Sequence, residues 1–146
     1  MKTNTDCTVL NAYYNEDAEE WEYRATRLDA VFWNPSKGKN VIQSGLSDAD
    51  GLKVLIPFQV KSDDKNYVSP QEYAALPPSS VDEHWTLSTG EKNTPDIVIK
   101  GAGVTGVVMI EQIAALRKKY ELYAITTVDT KDFGSEFMRH WKVGGK

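Results

Sequence analysis

Strict alternation of apolar residues between positions 52 and 60 constrains the fold of this chain more than any other pattern. Five apolar residues recur there at every second position: Leu52, Val54, Ile56, Phe58 and Val60. Because successive side chains of a strand point to opposite faces of its sheet, this period predicts a β-strand that buries one face. Pro57 cannot donate a ladder hydrogen bond, so we expect this strand at a sheet edge or at a bulge.

A long β-hairpin is predicted before this strand. Residues Cys7–Tyr14 are rich in β-forming side chains, a polar stretch at 15–20 interrupts them, and alternation resumes from Trp21 to Trp33. The second arm is expected to stop at Asn34-Pro35, because proline cannot donate to a ladder. The hairpin therefore carries an acidic tip. A short strand over residues 40–43 and a turn at residues 48–51 are expected to follow.

Helical signals appear at two places in the second half of the chain. Ser69 provides an N-cap and Pro70 a first helical residue, which predicts one or two helical turns up to Leu76. From Val107 to Tyr120 the apolar spacing becomes helical, which predicts the main helix. Its buried stripe is expected to contain Met109, Ile113, Leu116 and Tyr120.

Further strands are expected at residues 85–87, 96–100 and 123–128, the last of which follows the main helix. The order of elements is therefore several antiparallel strands, a late helix and a closing strand. This order predicts a single domain over residues 1–146. Its fold class is mainly β (α+β), a small antiparallel β-barrel or sandwich with one late inserted helix.

Composition excludes several classes of protein. Cys7 is the only cysteine among 146 residues, so no internal disulfide can form. A formal net charge of -4 argues against a nucleic-acid module, which needs a basic face to neutralise phosphates. The N-terminus lacks the apolar run of a signal peptide, and no window approaches the roughly 18 apolar residues of a membrane helix. We therefore expect synthesis in the cytoplasm and no membrane partner.

Charge is distributed unevenly along the sequence. The hairpin tip carries acids without a cation, whereas the last 30 residues or so are comparatively basic. The acidic residues are Glu16, Asp17, Glu19, Glu20 and Glu22. The basic residues are Arg117, Lys118, Lys119, Lys131, Arg139, Lys142 and Lys146. Two solvated surfaces explain this pattern, and so does attraction between opposite ends of subunits that pack head to tail.

The segment Gly101-Ala-Gly103-Val-Thr-Gly106 matches the GxGxxG pattern of dinucleotide-binding loops, and it lies between a predicted strand and the predicted helix. A nucleotide crevice needs further parallel strands, and too few residues follow Asp129 for another crossover. The alternating strands instead indicate antiparallel pairing. A glycine-rich entry to the helix is favoured, and nucleotide binding by Gly101–Gly106 is kept as the alternative of another class.

No combination of residues in the sequence indicates catalysis. His84 and His140 are the only histidines, and neither has neighbours at a spacing typical of a metal site. No serine lies in a nucleophile-elbow context. We predict that the protein is not an enzyme and has no catalytic residue, no cofactor and no metal.

The C-terminal segment contains large apolar side chains where chain ends usually fray: Phe133, Phe137, Met138 and Trp141. They are expected to dock on the chain's own core or on a neighbouring subunit. Removing residues 138–146 is expected to weaken assembly while leaving the fold mostly intact.

The segment Val128–Lys146, with its Asp-Phe-Gly turn, its His140-Trp141 pair and its glycine-rich end, resembles the close of small structural proteins of tailed phages and prophages of Gram-positive bacteria. These proteins are similar to head-to-tail connector, or head-closure, proteins. A looser resemblance takes in Tyr13-Tyr14, residues 39–45, residues 54–58 and Ile97–Gly101. The resemblance implies a small antiparallel β-barrel with a late helix, copies of which stack as a ring at the neck of the virion. It implies no catalysis.

The predicted function is therefore that of a non-enzymatic head-to-tail connector that forms a homo-oligomeric ring. Its expected partners are further copies of itself, a portal or adaptor protein and tail proteins, with no specific nucleic-acid recognition. It is expected in the host cytoplasm during assembly and then in the virion. A tail-side structural role, as a terminator or minor tail protein, is an alternative. The predicted interface residues are Glu16, Asp17, Glu19, Glu20, Phe133, Met138, Arg139, His140, Trp141 and Lys142.

Overall fold

The computed structural model describes residues 2–35, 51–90, 94–135 and 138–146. The expected strand at 40–43 and the turn beginning at Asp48 lie outside the described residues. The described strands are β1 (Thr5–Asn15), β2 (Glu20–Pro35), β3 (Leu52–Pro57), β4 (Asn66–Tyr67), β5 (His84–Trp85), β6 (Ile97–Lys100), β7 (Val107–Met109), β8 (Leu122–Lys131) and β9 (His140–Gly145). The described helices are α1 (Pro70–Ala74) and α2 (Ile113–Lys119), and a 3-10 turn at Ile110–Gln112 leads into α2.

Six of these strands form a closed antiparallel barrel. They follow one another around the ring in the order β1, β6, β8, β9, β3 and β2, and β2 pairs back with β1. β7 adds to the outer edge of β2 and lies outside the ring. The expectation of a mainly β fold with a small antiparallel barrel and a late helix is thus confirmed.

Strand direction determines which loops lie together. Since every pairing in the ring is antiparallel, β1, β3 and β8 run one way and β2, β6 and β9 the other. The β1–β2 and β8–β9 hairpins therefore leave the barrel at the same end, which we call the hairpin end. One ring strand separates the two hairpins on each side, β6 on one and β3 on the other. The hairpins consequently lie on opposite sides of the barrel.

The barrel interior is filled by alternate residues of the six strands. Its fully buried side chains include Val9 and Leu28 on the first hairpin and Leu52, Val54 and Ile56 on β3. The alternation that predicted β3 is confirmed over these residues, since Lys53 is exposed and Leu55 is only half-buried. The strand ends at Pro57, and the last two residues of the alternating pattern, at 58 and 60, pack half-buried against the core from beyond it.

The placement of β3 corrects the expectation drawn from Pro57. The strand is not at an edge, because it pairs with β2 on one side and with β9 on the other. Phe58 N donates to the carbonyl oxygen of Arg139, the residue directly before β9, so the nitrogen of the preceding residue, Pro57, faces β2. Pairing with β2 ends at Leu55, and no ladder bond is required from the proline.

The strand β9 lies between β8 and β3, which makes it an integral member of the ring. Trp141 and Val143 of this strand contribute to the interior. Removing residues 138–146 would open the barrel on both flanks, so the expectation that the fold tolerates this deletion is wrong.

A second apolar cluster lies on the outer face of the barrel and is covered by residues 101–120. Leu10, Tyr23 and Ile99 belong to this cluster, and Ile113, Leu116 and Tyr120 of the helical segment pack against it. The helical stripe predicted from spacing is confirmed for these last three residues. The predicted start of the helix at Val107 is wrong, because residues 107–109 pair with Glu22–Arg24 of β2 as β7. Adjacent β-branched valines suit that strand.

The segment between β3 and β6 covers the hairpin end of the barrel. Its helix α1 begins as predicted, with Ser69 Oγ accepting a hydrogen bond from Glu72 N at 3.2 Å and Pro70 in the first position. Tyr73 of α1 and Val81 pack with Tyr13 of β1 in a small buried cluster. β4 and β5 pair in parallel within this segment, a short pairing that the sequence pattern did not predict.

Candidate functional site

The β1–β2 hairpin carries the predicted acidic surface. Glu16, Asp17, Glu19 and Glu20 are all exposed at its tip. The tip is shaped by Asn15, whose side-chain oxygen accepts hydrogen bonds from the amides of Asp17 and Ala18 at 3.0 and 3.2 Å. Behind the tip, Tyr14 and Trp21 form an exposed edge-to-face pair with ring centroids 5.6 Å apart. The tip thus combines negative charge with aromatic surface.

The β8–β9 hairpin carries the other predicted surface. Among its described residues, Phe133 and Met138 are the most exposed apolar side chains, at 69% and 63%. Contiguous exposed apolar patches mark interaction surfaces, whereas single exposed apolar residues are common on proteins. Arg139 is exposed beside them, and Lys142 is half-buried. Phe137 lies outside the described residues.

Trp141 is buried, at 6% exposure, and this corrects its assignment to an interface. Its ring stacks within the barrel, with centroids 4.4 Å from Tyr67 and 4.5 Å from Phe58. Strand alternation explains the difference from its neighbours, because His140 and Lys142 are only half-buried on the opposite face of β9. His140 Nδ1 lies 2.9 Å from Met138 O, which holds its ring against the hairpin backbone.

The two hairpins lie at the same end of the barrel and on opposite sides of it, as the ring order and strand directions require. This corrects the expectation that acidic and basic residues occupy opposite ends of the subunit. The basic set is itself divided. Arg117, Lys118 and Lys119 end helix α2, which leads into the start of β8 at the far end of the barrel. Lys131 and Arg139 flank the β8–β9 hairpin.

The structure also contains a cleft of about 530 Å³ that the sequence did not predict. It opens at the hairpin end between β1 and β8. Its lining residues include Ala12 of β1, Val128 and Thr130 of β8, and the aromatic side chains of Trp21, Tyr67 and Tyr73. Aromatic walls with a few polar groups are typical of binding sites.

Asp96 forms the inner wall of this cleft and is 1% exposed. Its Oδ1 accepts a hydrogen bond from Ala12 N at 2.8 Å, and its Oδ2 accepts bonds from Asn11 Nδ2 at 2.8 Å and Ser88 N at 3.0 Å. Burial raises the pKa of Asp96 to about 7, although these hydrogen bonds lower it. The only sequence signal for this group is an aspartate placed directly before an apolar strand.

A second buried polar group joins the hairpin to the segment that covers it. Arg24 of β2 pairs with Glu22 at 2.7 Å and with Asp82, and its guanidinium lies 5.4 Å from the centroid of the Tyr13 ring. Because Arg24 is 9% exposed, the loss of either carboxylate would leave a poorly compensated buried charge. This cluster fixes the position of the covering segment.

The loop Gly101–Gly106 does not lie in a nucleotide-binding context. β6 before it and β8 after it pair antiparallel as direct neighbours, whereas a dinucleotide fold requires parallel strands. Gly101 and Gly106 have φ angles of 91° and 77°, which permit the chain to turn back toward β7. At Gly103, an added Cβ would approach the Tyr120 hydroxyl to 2.6 Å. The glycines thus serve turns and close packing.

Within residues 2–35, 51–90, 94–135 and 138–146, no group of three or more His, Cys, Asp or Glu side chains is placed to hold a metal ion. The helices of the described part of the chain are too short or too polar to span a membrane.

Comparison with known proteins identifies a family without identifying an activity. Residues 2–146 match the model of a family described as "Family of unknown function (DUF6751)", and the chain belongs to this family. Searches of curated proteins and of solved structures gave no match.

Proposed function

For this member of a family of unknown function, we propose a role as a non-enzymatic structural protein of tailed-phage or prophage particles. In this role it is a head-to-tail connector whose copies associate side by side into a ring. Its other partners are a portal or adaptor protein and tail proteins. The resemblance of Val128–Lys146 to such proteins motivates the proposal, and the arrangement of the two hairpins supports it.

The position of the hairpins is the observation that carries the proposal. An acidic hairpin and a hairpin that exposes Phe133, Met138 and Arg139 project from the same end of the barrel on opposite sides. If each copy contacts the next through unlike hairpins, the interface is heterologous and closes into a ring when the rotation per copy allows it. A head-to-tail stack along the barrel axis would not bring these hairpins together.

Apolar burial supplies most of the expected affinity. Covering Phe133 and Met138 contributes roughly 1.5–3 kcal/mol each when the side chain becomes fully buried. The charges of Glu19, Glu20 and Arg139 contribute mainly to orientation and to the association rate, since exposed ion pairs are worth at most about 1 kcal/mol. Raising the salt concentration is therefore expected to lower the association rate while leaving most of the affinity unchanged.

Disulfide cross-linking tests the contact directly. Cys7 is fully buried, so single cysteines introduced at the surface provide the only accessible thiols among the described residues. Glu20→Cys and Arg139→Cys proteins are mixed at high concentration, oxidised and analysed by non-reducing electrophoresis and mass spectrometry. The proposal expects heterodimers of the two variants.

Lys100→Cys provides the matched control, because Lys100 is exposed where β6 ends, away from the hairpin end. Equal yields for the Glu20–Arg139 and Glu20–Lys100 mixtures would contradict side-by-side association through unlike hairpins. Immunogold electron microscopy of particles then distinguishes a connector at the neck from a tail-side component, which would use the same contacts.

A further inference from the structure

The cleft occupies a position in the sheet that a strand would otherwise fill. β6 pairs with β1 only as far as Leu10 and with β8 only as far as Ala124. Beyond these residues, β1 continues to Asn15 and β8 to Lys131. Two strands that flank a third lie roughly 9.5 Å apart, twice the usual spacing. If β1 and β8 keep this spacing beyond β6, the gap between them has the width of one extended chain.

The lining of the cleft agrees with this position. Ala12 of β1 lines one side, and Val128 and Thr130 of β8 line the other. Asp96 closes the inner end, because its carbonyl accepts a hydrogen bond from Ile125 N of β8 at 2.8 Å while its carboxylate bonds to Ala12 N of β1. The volume of about 530 Å³ lies within the range of pockets that bind ligands.

The β1 edge facing the gap has backbone groups available for pairing. Ala12 N points away from β2, and main-chain groups of alternate residues point the same way, so Ala12 O and both main-chain groups of Tyr14 face the gap. These groups have no ladder partner in the described part of the chain. An unpaired edge of this kind accepts an added strand.

Side-chain chemistry indicates the character of that strand. Among the described residues, Asp96 is the only charged one that lines the cleft, and the acidic tip lies next to Trp21, another lining residue. An anionic ligand is therefore disfavoured and a basic one favoured. Tyr73 is 2% exposed, lines the cleft, and its hydroxyl has no hydrogen-bond partner among the described residues. A buried hydroxyl without a partner is costly and gains from a bound backbone group.

We propose that this cleft binds a short, basic, extended segment of a partner polypeptide, which adds as a strand between β1 and β8 in line with β6. This site is separate from the β8–β9 hairpin contact of the proposed ring. It would join the protein to a second kind of chain, and its main-chain hydrogen bonds would supply recognition with little dependence on sequence.

Peptide titration of the full-length protein tests the proposal. The probe is a fluorescein-labelled octapeptide of alternating lysine and valine, and binding is followed by fluorescence anisotropy at about 0.15 M salt, where distant charges are screened. A peptide of alternating lysine and proline carries the same charge but lacks half of the backbone donors. Saturable binding of the first peptide, with affinity about tenfold higher than that of the second, is expected.

A matched pair of variants locates the site. Thr130→Trp fills the cleft from an exposed lining position, whereas Thr127→Trp makes the same change at an exposed residue of β8 that does not line it. Affinity for the lysine–valine peptide is expected to fall about tenfold in the first variant and to stay within about twofold in the second.

Equal binding of the two peptides would show attraction to the acidic tip alone and would overturn the proposal. Absence of saturable binding, or equal effects of the two substitutions, would do the same. None of these outcomes affects the cysteine cross-linking test, so failure of strand addition and failure of ring formation are distinguishable.

Discussion

Replacing Ala30 by glycine is predicted to stabilise the protein. β1 and β2 change register between the pairs Thr5–Val31 and Cys7–Leu28, so β2 has one extra residue there. Ala30 lies in this bulge with a φ angle of 71°. Glycine is the residue that ordinarily occupies such a conformation in a bulge, because it has no Cβ to clash with the backbone.

The expected gain follows from two opposing contributions. A left-handed backbone costs a residue with a Cβ roughly 1–2 kcal/mol, and this cost disappears in Ala30→Gly. Glycine adds roughly 0.4–1 kcal/mol of conformational entropy to the unfolded chain. Ala30 is exposed, so little packing is lost, and its amide still donates to Asp6 Oδ1 at 3.1 Å. The net stabilisation therefore lies between about 0 and 1.6 kcal/mol. At about 2–4 °C per kcal/mol, this raises Tm by up to about 6 °C.

Urea unfolding followed by tryptophan fluorescence measures the change, and the chain contains four tryptophans. Ala12→Gly is the control, since Ala12 pairs regularly with Tyr23 in the same hairpin. That change should destabilise the protein by roughly 0.5–1 kcal/mol. If Ala30→Gly destabilised it to a similar degree, the positive φ at this bulge would not be a source of strain and the reasoning would fail.

Three further predictions concern the buried acid, the core and the exposed hairpin. Burial raises the pKa of Asp96 to about 7 from 3.8, so the free energy of unfolding should fall as pH rises between these values. Urea unfolding at pH 5 and pH 8 should show this decrease in the unchanged protein and not in Asp96→Asn. An equal decrease in both proteins would refute the effect. Trp141→Ala should lower the urea-derived free energy of unfolding by about 3–5 kcal/mol, and a loss below about 1 kcal/mol would contradict its place in the core. The double change Phe133→Ser and Met138→Ser should alter the free energy of unfolding by no more than about 0.5 kcal/mol per site, because both side chains are exposed. It should also reduce the yield of disulfide cross-links between the Glu20→Cys and Arg139→Cys proteins. An unchanged yield would show that these side chains are not in the interface.

Local patterns in the sequence predict much of the secondary structure. The β1–β2 hairpin, the strand from Leu52 and the cap at Ser69 each depend on interactions within a few residues, and the structure confirms them. The same local reasoning misplaced the start of the helix, because Val107 and Met109 fit a helical period and a strand equally well. The unpaired edge of β2 at Glu22–Arg24 decided between them.

Properties that depend on distant residues were not predictable in this way. The edge position expected from Pro57 failed because β9, more than 80 residues later, pairs along its strand. The cleft forms because β6 is shorter than its neighbours β1 and β8. This difference in length cannot be predicted from any one segment of the sequence, because the three strands are far apart in the chain. Asp96 acquires its role from Asn11 and Ser88, which the fold brings to it.

The location of β9 between β3 and β8 has a consequence for synthesis on the ribosome. Every other strand of the ring precedes β9 in the chain, so the emerging polypeptide presents two open edges, on β3 and β8, until His140–Gly145 arrives. Such edges pair readily with other nascent chains. Stalling or premature termination before His140 should therefore yield aggregates or chaperone-bound chains.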